Sequence, residues 1–270
     1  MSSPPTTHRI DAAQGPTRRR VFSGECLAAR VTWYAPGERM HRHAHDCHQL
    51  SLLLLGTLME QTGQGEERLA VPALGVKQAG VAHANDYGPS GALMLGIDLP
   101  ASFDLQDKLG IGRAWQWRGH ALQPLLLQGR GLLSALFAGE LVAADVDARL
   151  WELLAGMVAP DERPSGTPPR WLALYCQRLQ DENVQLADLA GELGVHPVYV
   201  ARAFARWMGC APSVFRARAQ LQRALPLLAN GQALVDVAQQ AGFADQSHFS
   251  RIARTHSGLT PARLRALLQT

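Results

Sequence analysis

The hydrophobic pattern of the last hundred residues contains one small unit twice. Six matched positions share an offset of 48: Leu186, Leu189, Ala190, Leu193, Gly194 and Val195 against Leu234, Val237, Ala238, Ala241, Gly242 and Phe243. Four more follow at an offset of 49: Arg202, Gly209, Pro212 and Arg216 against Arg251, Gly258, Pro261 and Arg265. In each copy, apolar residues at helical spacing predict a short helix, glycine permits a tight turn, and a second amphipathic helix follows. The pattern therefore predicts two helix-turn-helix units.

Two such units predict two adjacent contacts with DNA. In a helix-turn-helix, the second helix enters the major groove and residues near its N-terminal end touch base edges. Residues 213–229, between the copies, have a helical pattern. A helix of that length spans roughly 25 Å, enough to hold two reading helices about 34 Å apart once their width is included. The alternative is an all-α bundle without a DNA role, which the in-register duplication disfavours.

The charge distribution supports DNA as the partner of this part of the chain. From residue 167 onward there are 11 Arg and 6 acidic residues, whereas the preceding part has 15 Arg plus Lys and 17 acidic residues. Only the C-terminal part therefore suits a phosphate backbone.

The N-terminal half has a different pattern. Between residues 21 and 100, short apolar segments are separated by Pro and Gly, which predicts an all-β barrel or sandwich. Residues 101–159 are predicted to be largely helical, and their surplus apolar surface either forms a dimer face or covers the β-domain. Residues 1–20 are expected to be a flexible tail, 160–169 a linker, and 170–270 the DNA-binding domain. The predicted fold class is thus multi-domain α+β.

Composition restricts the class of protein further. The chain has 270 residues, 47% of them hydrophobic, without an apolar stretch of eighteen residues or a signal-peptide pattern, so a cytoplasmic location is expected. Cysteines 26, 47, 176 and 210 have no paired spacing, and we expect reduced thiols.

The second copy carries a family resemblance. The run LVDVAQQAGFADQSHFSR from Leu234, followed by Gly258-Leu-Thr-Pro, resembles the signature of the AraC/XylS transcriptional regulators. The resemblance covers about residues 168–268 and implies a DNA-binding regulator that is not an enzyme. Two positions depart from the family pattern: Ala253 stands where Phe is usual, and Pro226 interrupts the helix between the units.

Carried over residue by residue, the resemblance implies two unequal sets of base contacts. In the first copy, a helix over Pro197–Met208 places Val198, Ala201 and Arg202 toward bases. In the second, a helix over about residues 245–256, capped by Asp245, presents Gln246, Ser247, Ser250 and Arg251. Arginine suits guanine and glutamine suits adenine. Five more arginines are assigned to phosphates or to intramolecular pairing: Arg206, Arg216, Arg218, Arg254 and Arg265. Four apolar residues are assigned to the core: Tyr199, Phe204, Val214 and Phe215.

A second motif lies in the predicted β-domain. The pattern Gly37-x5-His43-x-His45-x3-Gln49-x6-Gly56, followed by Gly80-x-x-His83, resembles the first cupin motif with Gln in place of Glu. Residues 43 and 45 of one strand would share a face. The resemblance implies that His43, His45 and His83 hold a divalent transition metal (Zn, Ni or Cu), with Gln49 or Cys47 as fourth ligand. Alternatively, the histidines line a pocket for an organic effector without metal.

Together, the two parts predict a one-component transcription regulator whose N-terminal barrel responds to an effector. The expected partners are double-stranded DNA and a small-molecule or metal effector, with RNA polymerase and a second copy of the chain as further partners. Two alternatives stay open: a metal-sensing regulator, and a cupin metalloenzyme whose helices only support it. The family resemblance implies an activator, but the sequence itself leaves activation and repression open.

Overall fold

The protein is described here by a computed structural model. The structure describes residues 18–24, 27–69, 72–119, 122–139, 141–156, 166–181 and 186–269. Most of the predicted tail, up to residue 17, and of the predicted linker, up to residue 165, lies outside these residues. Within the described ranges, no helix has the length and apolar character needed to cross a bilayer.

The N-terminal half folds into an antiparallel sheet, as its pattern predicts. Its eight strands are β1 (Arg18–Ser23), β2 (Ala28–Tyr34), β3 (Arg39–His43), β4 (Cys47–Thr62), β5 (Gly65–Leu69), β6 (Ala73–Lys77), β7 (His83–Pro100) and β8 (Trp115–Arg118). The strand order is β1-β2-β7-β4-β6-β8, while β3 also pairs with β7 and β5 with β4. Strand β8 extends the sheet to residue 118, into the segment expected to be helical, because it pairs with β6.

The two long strands bury side chains on both faces of the sheet. Alternate residues of a strand point to opposite faces. Leu50, Leu52 and Leu54 of β4 therefore pack in the core that also contains the helices. Leu53 and Leu58 pack on the other side, among aromatic residues that include Trp115 and Trp117. The second face encloses the interior of the β-domain.

Ten helices complete the described fold. They are α1 (Leu105–Leu109), α2 (Gln123–Ala138), α3 (Ala143–Gly156), α4 (Trp171–Asp181), α5 (Leu186–Glu192), α6 (Pro197–Met208), α7 (Pro212–Ala229), α8 (Leu234–Gln240), α9 (Gln246–Ser257) and α10 (Pro261–Gln269). The first unit is α5–α6 and the second unit is α8–α9. Gly194 and Gly242 follow α5 and α8 with φ of 63° and 83°, the left-handed conformation that favours glycine. The predicted α+β fold class, with an N-terminal β-domain, following helices and a double helix-turn-helix, is confirmed.

The two units have different cores. The first unit packs with α4 and with Phe215 of α7 in a separate cluster. The second unit, with α10 and the rest of α7, belongs to the same core as the sheet, α2 and α3. Gln222 of α7 also donates to the carbonyl of Gly56 on β4, at 3.0 Å. The second unit is therefore docked on the N-terminal domain.

Helices α2 and α9 approach each other closely at Gly258, the residue that ends α9. Its φ is 78°, and a Cβ there would lie 2.3 Å from the carbonyl oxygen of Arg130 in α2. Gly139 ends α2 with φ of 72°, but a Cβ there would meet nothing within 4 Å. The two glycines thus share the same backbone demand and differ in the space around them.

We expect Gly258→Ala to destabilise the protein more than Gly139→Ala. The left-handed backbone costs about 1 kcal/mol in both variants. Gly258→Ala adds about 1–3 kcal/mol because backbone atoms must move apart. Denaturant unfolding of both variants measures the difference. Equal losses would mean that α2 and α9 are not held together at this point.

Candidate nucleic-acid interface and histidine site

Helix α9 presents a continuous polar face to solvent. Its opposite face is buried and contains Phe249, Ala253 and His256. The outer face lines one concave surface, formed by Gln246, Ser247, Ser250, Arg251, Arg254 and Thr255. The structure therefore brings together all five α9 residues assigned to DNA from the sequence. Thr255 was missed, although it lies one helical turn after Arg251 and its spacing could have identified it.

The start of α9 is held by its cap. The Asp245 carboxylate accepts a hydrogen bond from the backbone N–H of His248 at 2.6 Å, which confirms the predicted N-cap. The His248 ring also accepts from the N–H of Ala244, at 3.3 Å. These bonds satisfy N–H groups at the helix start and so fix the direction in which Gln246 and Ser247 leave the turn.

Helix α6 presents a smaller and less polar set. Val198, Arg202 and Arg206 are exposed and Ala201 is half-buried. Tyr199, assigned to the core from the sequence, is 54% exposed, so that assignment is wrong. The buried stripe of this helix runs through Val200 and Phe204, and Tyr199 is one residue, about 100°, away from it.

The remaining assignments on the linking helix have mixed outcomes. Phe204 and Phe215 are buried, as predicted, whereas Val214 is half-buried. Arg218 is 6% exposed, so it does not contact a phosphate in this arrangement. The physical reason is that α7 packs against β4 and β7 as well as against the helix-turn-helix units.

Three histidines converge inside the β-domain. His43 ends β3 and pairs with His83, the first residue of β7. His45 follows in the loop after β3, not on the strand as expected. The ring centroids of His43 and His83 lie 4.3 Å apart, and one nitrogen from each of the three rings lies within 4.8 Å of the others. The three predicted histidine ligands thus share one site.

The surrounding backbone orients two of the rings. Nδ1 of His43 lies 2.7 Å from the carbonyl of His41, and Nδ1 of His83 lies 3.1 Å from that of Val81. A carbonyl only accepts, so Nδ1 carries the proton in the neutral ring and Nε2 keeps its lone pair. Nε2 of His43 is buried and has no hydrogen-bond partner within the described part of the chain. This tautomer is the one that a metal-binding imidazole needs.

Burial and nearby cations keep two of the rings neutral. Burial, with His43 and Arg30 nearby, lowers the pKa of His45 to about 4. Burial, with Lys77 nearby, lowers the pKa of His83 to about 3. Both rings are therefore uncharged at neutral pH, the form that donates a lone pair to a metal.

The two alternative fourth ligands have different positions. Gln49 is buried and lines the same cavity as the three histidines. Cys47 lies outside that cavity lining, and burial raises the pKa of its thiol to about 11. The cavity is about 30 Å³. A cavity of this volume has room for an ion or for one to two water molecules, whereas pockets for organic ligands occupy about 300–1,000 Å³.

A buried ion pair, missed from the sequence, borders this cavity. Lys77 lies 2.7 Å from Oε1 of Glu60, and the indoles of Trp115 and Trp117 both donate to Oε2 at 2.6 Å. Burial raises the pKa of Glu60, but Lys77 and the indole donors outweigh it and hold the pKa below its ordinary value. A lone acid among the apolar residues of β4 was the signal in the sequence.

The geometry of the units defines a class of protein, the helix-turn-helix DNA-binding proteins. A model described as a helix-turn-helix domain matches residues 189–266. The chain is 30% identical over 97 residues to the probable transcription factor PqrA of Proteus vulgaris, covering 36% of this chain and 78% of that protein. It is 31% identical over 94 residues to the virulence regulon transcriptional activator VirF of Yersinia enterocolitica, covering 33% of this chain and 35% of that one. The chain belongs to the AraC/XylS family of transcription regulators.

A likeness over most of the chain also exists among solved structures. ToxT from Vibrio cholerae is 14% identical with a TM-score of 0.36, covering 93% of this chain and 97% of that chain. This likeness is too distant to bear on function. Any function of the histidine site in the N-terminal domain therefore follows from the residues of that site alone.

We expect Lys77→Met to destabilise the protein by about 3–5 kcal/mol, because it leaves the Glu60 carboxylate buried without its cation. The double variant Glu60→Gln, Lys77→Met should cost less, since no unpaired charge remains. Denaturant unfolding of the original protein, the two single variants and the double variant gives the free energies of this double-mutant cycle. Arg68→Met, which removes the exposed pair with Glu66, is the control and should change little. A double variant as unstable as Lys77→Met would argue against a charge-based role for the pair.

Proposed function

We propose that this protein is a one-component transcription regulator in which two unequal helix-turn-helix units read DNA and the N-terminal domain senses an effector. The observation that carries the proposal is the concave polar face of α9, whose lining residues include Gln246, Ser250 and Arg251. That face points away from the core that the second unit shares with the N-terminal domain. We assign the chain no catalytic step.

The two units would contribute differently to recognition. Arg251 and Gln246 have the donors and acceptors for bidentate contacts with guanine and adenine. Val198 and Ala201 offer only apolar contact, for example with a thymine methyl, so Arg202 carries the polar contact of α6. Arg206 and Arg254 are exposed, and we assign them to phosphate contacts. Hydrogen-bonded discrimination should therefore reside mainly in the second unit.

The domain assignment is part of the same proposal. Sensing is assigned to the sheet, β1 to β8, and reading to residues 170–270. Helices α2 and α3 join them and expose Leu127 and Trp151, and Val142, just before α3, is exposed too. Exposed apolar residues on neighbouring helices support their use as a contact with a second copy of the chain.

A second candidate concerns the effector itself, which we propose is a divalent transition metal. The observations that favour it are three histidine rings whose nitrogens lie within 4.8 Å of one another and a cavity of ionic size. His43, His45 and His83 would hold Zn, Ni or Cu, and Gln49, which lines the same cavity, is the candidate for a fourth ligand. Bound metal would add a local positive charge and link β3, the loop after it and β7 through one ion.

We expect Arg251→Ala to relax base preference at one position of the binding site. Loss of one bidentate contact should cost about 1–3 kcal/mol on the preferred sequence and less on others. The preferred sequence comes from selecting bound DNA out of a random pool, and affinities are then measured at one salt concentration. Arg263→Ala is the control, because Arg263 is exposed on α10 outside this face. An unchanged preference in Arg251→Ala would remove α9 from base readout.

We expect the purified protein to bind one Zn, Ni or Cu ion per chain, and His43→Ala to weaken that binding at least tenfold. Elemental analysis and metal titration measure this. His41→Ala is the matched control, since its side chain is exposed and only its backbone carbonyl contacts His43.

Binding of the selected DNA, measured with and without a chelator, then tests metal as the signal. A change in affinity on metal removal supports metal sensing. Metal-free protein that binds DNA with unchanged affinity would contradict it while leaving the DNA-binding proposal intact.

A further inference from the structure

The two helix-turn-helix units carry an aromatic ring with a polar donor at the same place in their second helix. Tyr199 is the third residue of α6 and His248 is the third residue of α9. These positions are 49 residues apart, the same offset that relates Arg202 to Arg251. Neither ring belongs to the residues assigned to base contacts, and His248 is absent from the lining of the concave face of α9. The repeat therefore singles out one matched pair that has no role in reading bases.

Both rings lie on the flank of their helix, beside the exposed polar face. Successive helical residues are about 100° apart around the axis, so residues seven positions apart differ by only about 20°. Tyr199 is therefore aligned with Arg206, and His248 with Thr255. Arg206 is exposed on α6, and Thr255 is part of the concave face of α9. In each unit the ring thus lies at the edge of the face assigned to DNA.

Tyr199 is available to a partner from outside the chain. Its side chain is 54% exposed. Among the described residues, its hydroxyl has no hydrogen bond and its ring has no aromatic partner, in contrast to Tyr175 of the same unit, whose ring contacts Phe204. An exposed tyrosine hydroxyl can donate to an oxygen of a bound molecule.

The donor of His248 is fixed by the turn that precedes α9. Nδ1 of His248 accepts a hydrogen bond from the N–H of Ala244 at 3.3 Å. The ring proton is therefore on Nε2, which makes that atom a donor. The His248 ring also packs edge-on against Phe243, with the ring centroids 5.5 Å apart. The turn thus sets both the tautomer and the direction of the ring.

The surroundings of His248 suit a negatively charged strand. His248 lines an open groove of about 650 Å³ between α7 and α9. The other polar residues of the lining are Ser213, Arg216, Gln220 and His256, and the described residues that line the groove include no acidic residue. A positively charged groove with hydroxyl and imidazole donors matches phosphate oxygens. Because the groove adjoins the polar face of α9, a DNA strand in it would continue the contact made by that face.

We propose that Tyr199 and His248 are a matched pair of phosphate contacts, each donating a hydrogen bond to the DNA backbone beside its reading helix. The major groove is about 12 Å wide and a helix with its side chains is about 10–12 Å across, so the flanks of an inserted helix face the backbones. Phosphate contacts set the register and orientation of a protein on DNA without reading sequence. The inference rests on the proposed function, because it takes α6 and α9 as the reading helices. The pair would orient the two units alike, although their base contacts differ.

The first test measures binding of the full chain to the selected DNA sequence. Tyr199→Phe removes only a hydroxyl, and we expect it to weaken binding about three- to tenfold. The loss should be equal on DNA with one altered base, because the phosphates are the same. Tyr175→Phe is the matched control, since it removes a tyrosine hydroxyl from the buried core of the same unit. It should leave DNA binding unchanged.

The second test locates each contact on the DNA. Methylphosphonate substitution replaces one charged phosphate oxygen with a methyl group, so a variant that has lost its contact becomes insensitive to substitution at that position alone. We expect Tyr199→Phe and His248→Phe to become insensitive at two different phosphates, about ten base pairs apart. Circular dichroism and thermal unfolding check that both variants are folded, and Tyr199→Phe alone decides the proposal if His248→Phe is not.

The possible failures are distinguishable. Unchanged affinity in Tyr199→Phe, a loss on only one DNA sequence, or an equal loss in Tyr175→Phe would overturn the matched pair and leave the reading faces in place. Retained sensitivity of both variants at every phosphate would do the same. Failure of the original protein to select any DNA sequence would instead overturn the proposed function.

Discussion

Burial of helix α7 on more than one side is the constraint on which the rest of the structure depends. Ten of its eighteen residues are buried, more than a single helical face can present. Phe215 near its start belongs to the core of the first unit, whereas Leu221, Leu225 and Leu228 belong to the core that contains the sheet. One helix therefore sets the position of both units and of the N-terminal domain.

This constraint makes the two units unequal in more than their base contacts. The first unit has its own core with α4 and with Phe215 of α7, separate from the core that contains the sheet. The second unit shares its core with the sheet and with α2, and α9 thus has an exposed polar side, which we propose faces DNA, and a buried side that packs toward the N-terminal domain. A change in the β-domain can reach DNA through α7 and α9, because both ends of that path are in contact.

The local spacing of apolar and polar residues was enough to predict much of the helix-turn-helix domain. The predicted bounds of α6 agree with the structure, the cap of α9 is Asp245, and all five proposed α9 contacts lie on one exposed face. These features depend on residues within one or two turns of each other, which sequence periodicity describes directly. Tyr199 was assigned to the core as part of the apolar stripe of its helix, although the buried stripe runs through Val200 and Phe204 instead. The three histidines are predicted as a group, but the size of their cavity is not.

The amino-acid sequence by itself determined the two helix-turn-helix units, the antiparallel character of the N-terminal half and the histidines that face one another. Each depends on short-range patterns of apolar residues, glycines and repeated motifs. Only the tertiary structure decided that Arg218 is buried, that β8 joins the sheet, that Glu60 pairs with Lys77, and that the backbone of Arg130 in α2 lies against Gly258 at the end of α9. These outcomes depend on which distant surfaces pack together, because the burial and charge environment of a side chain come from elements far away in the sequence.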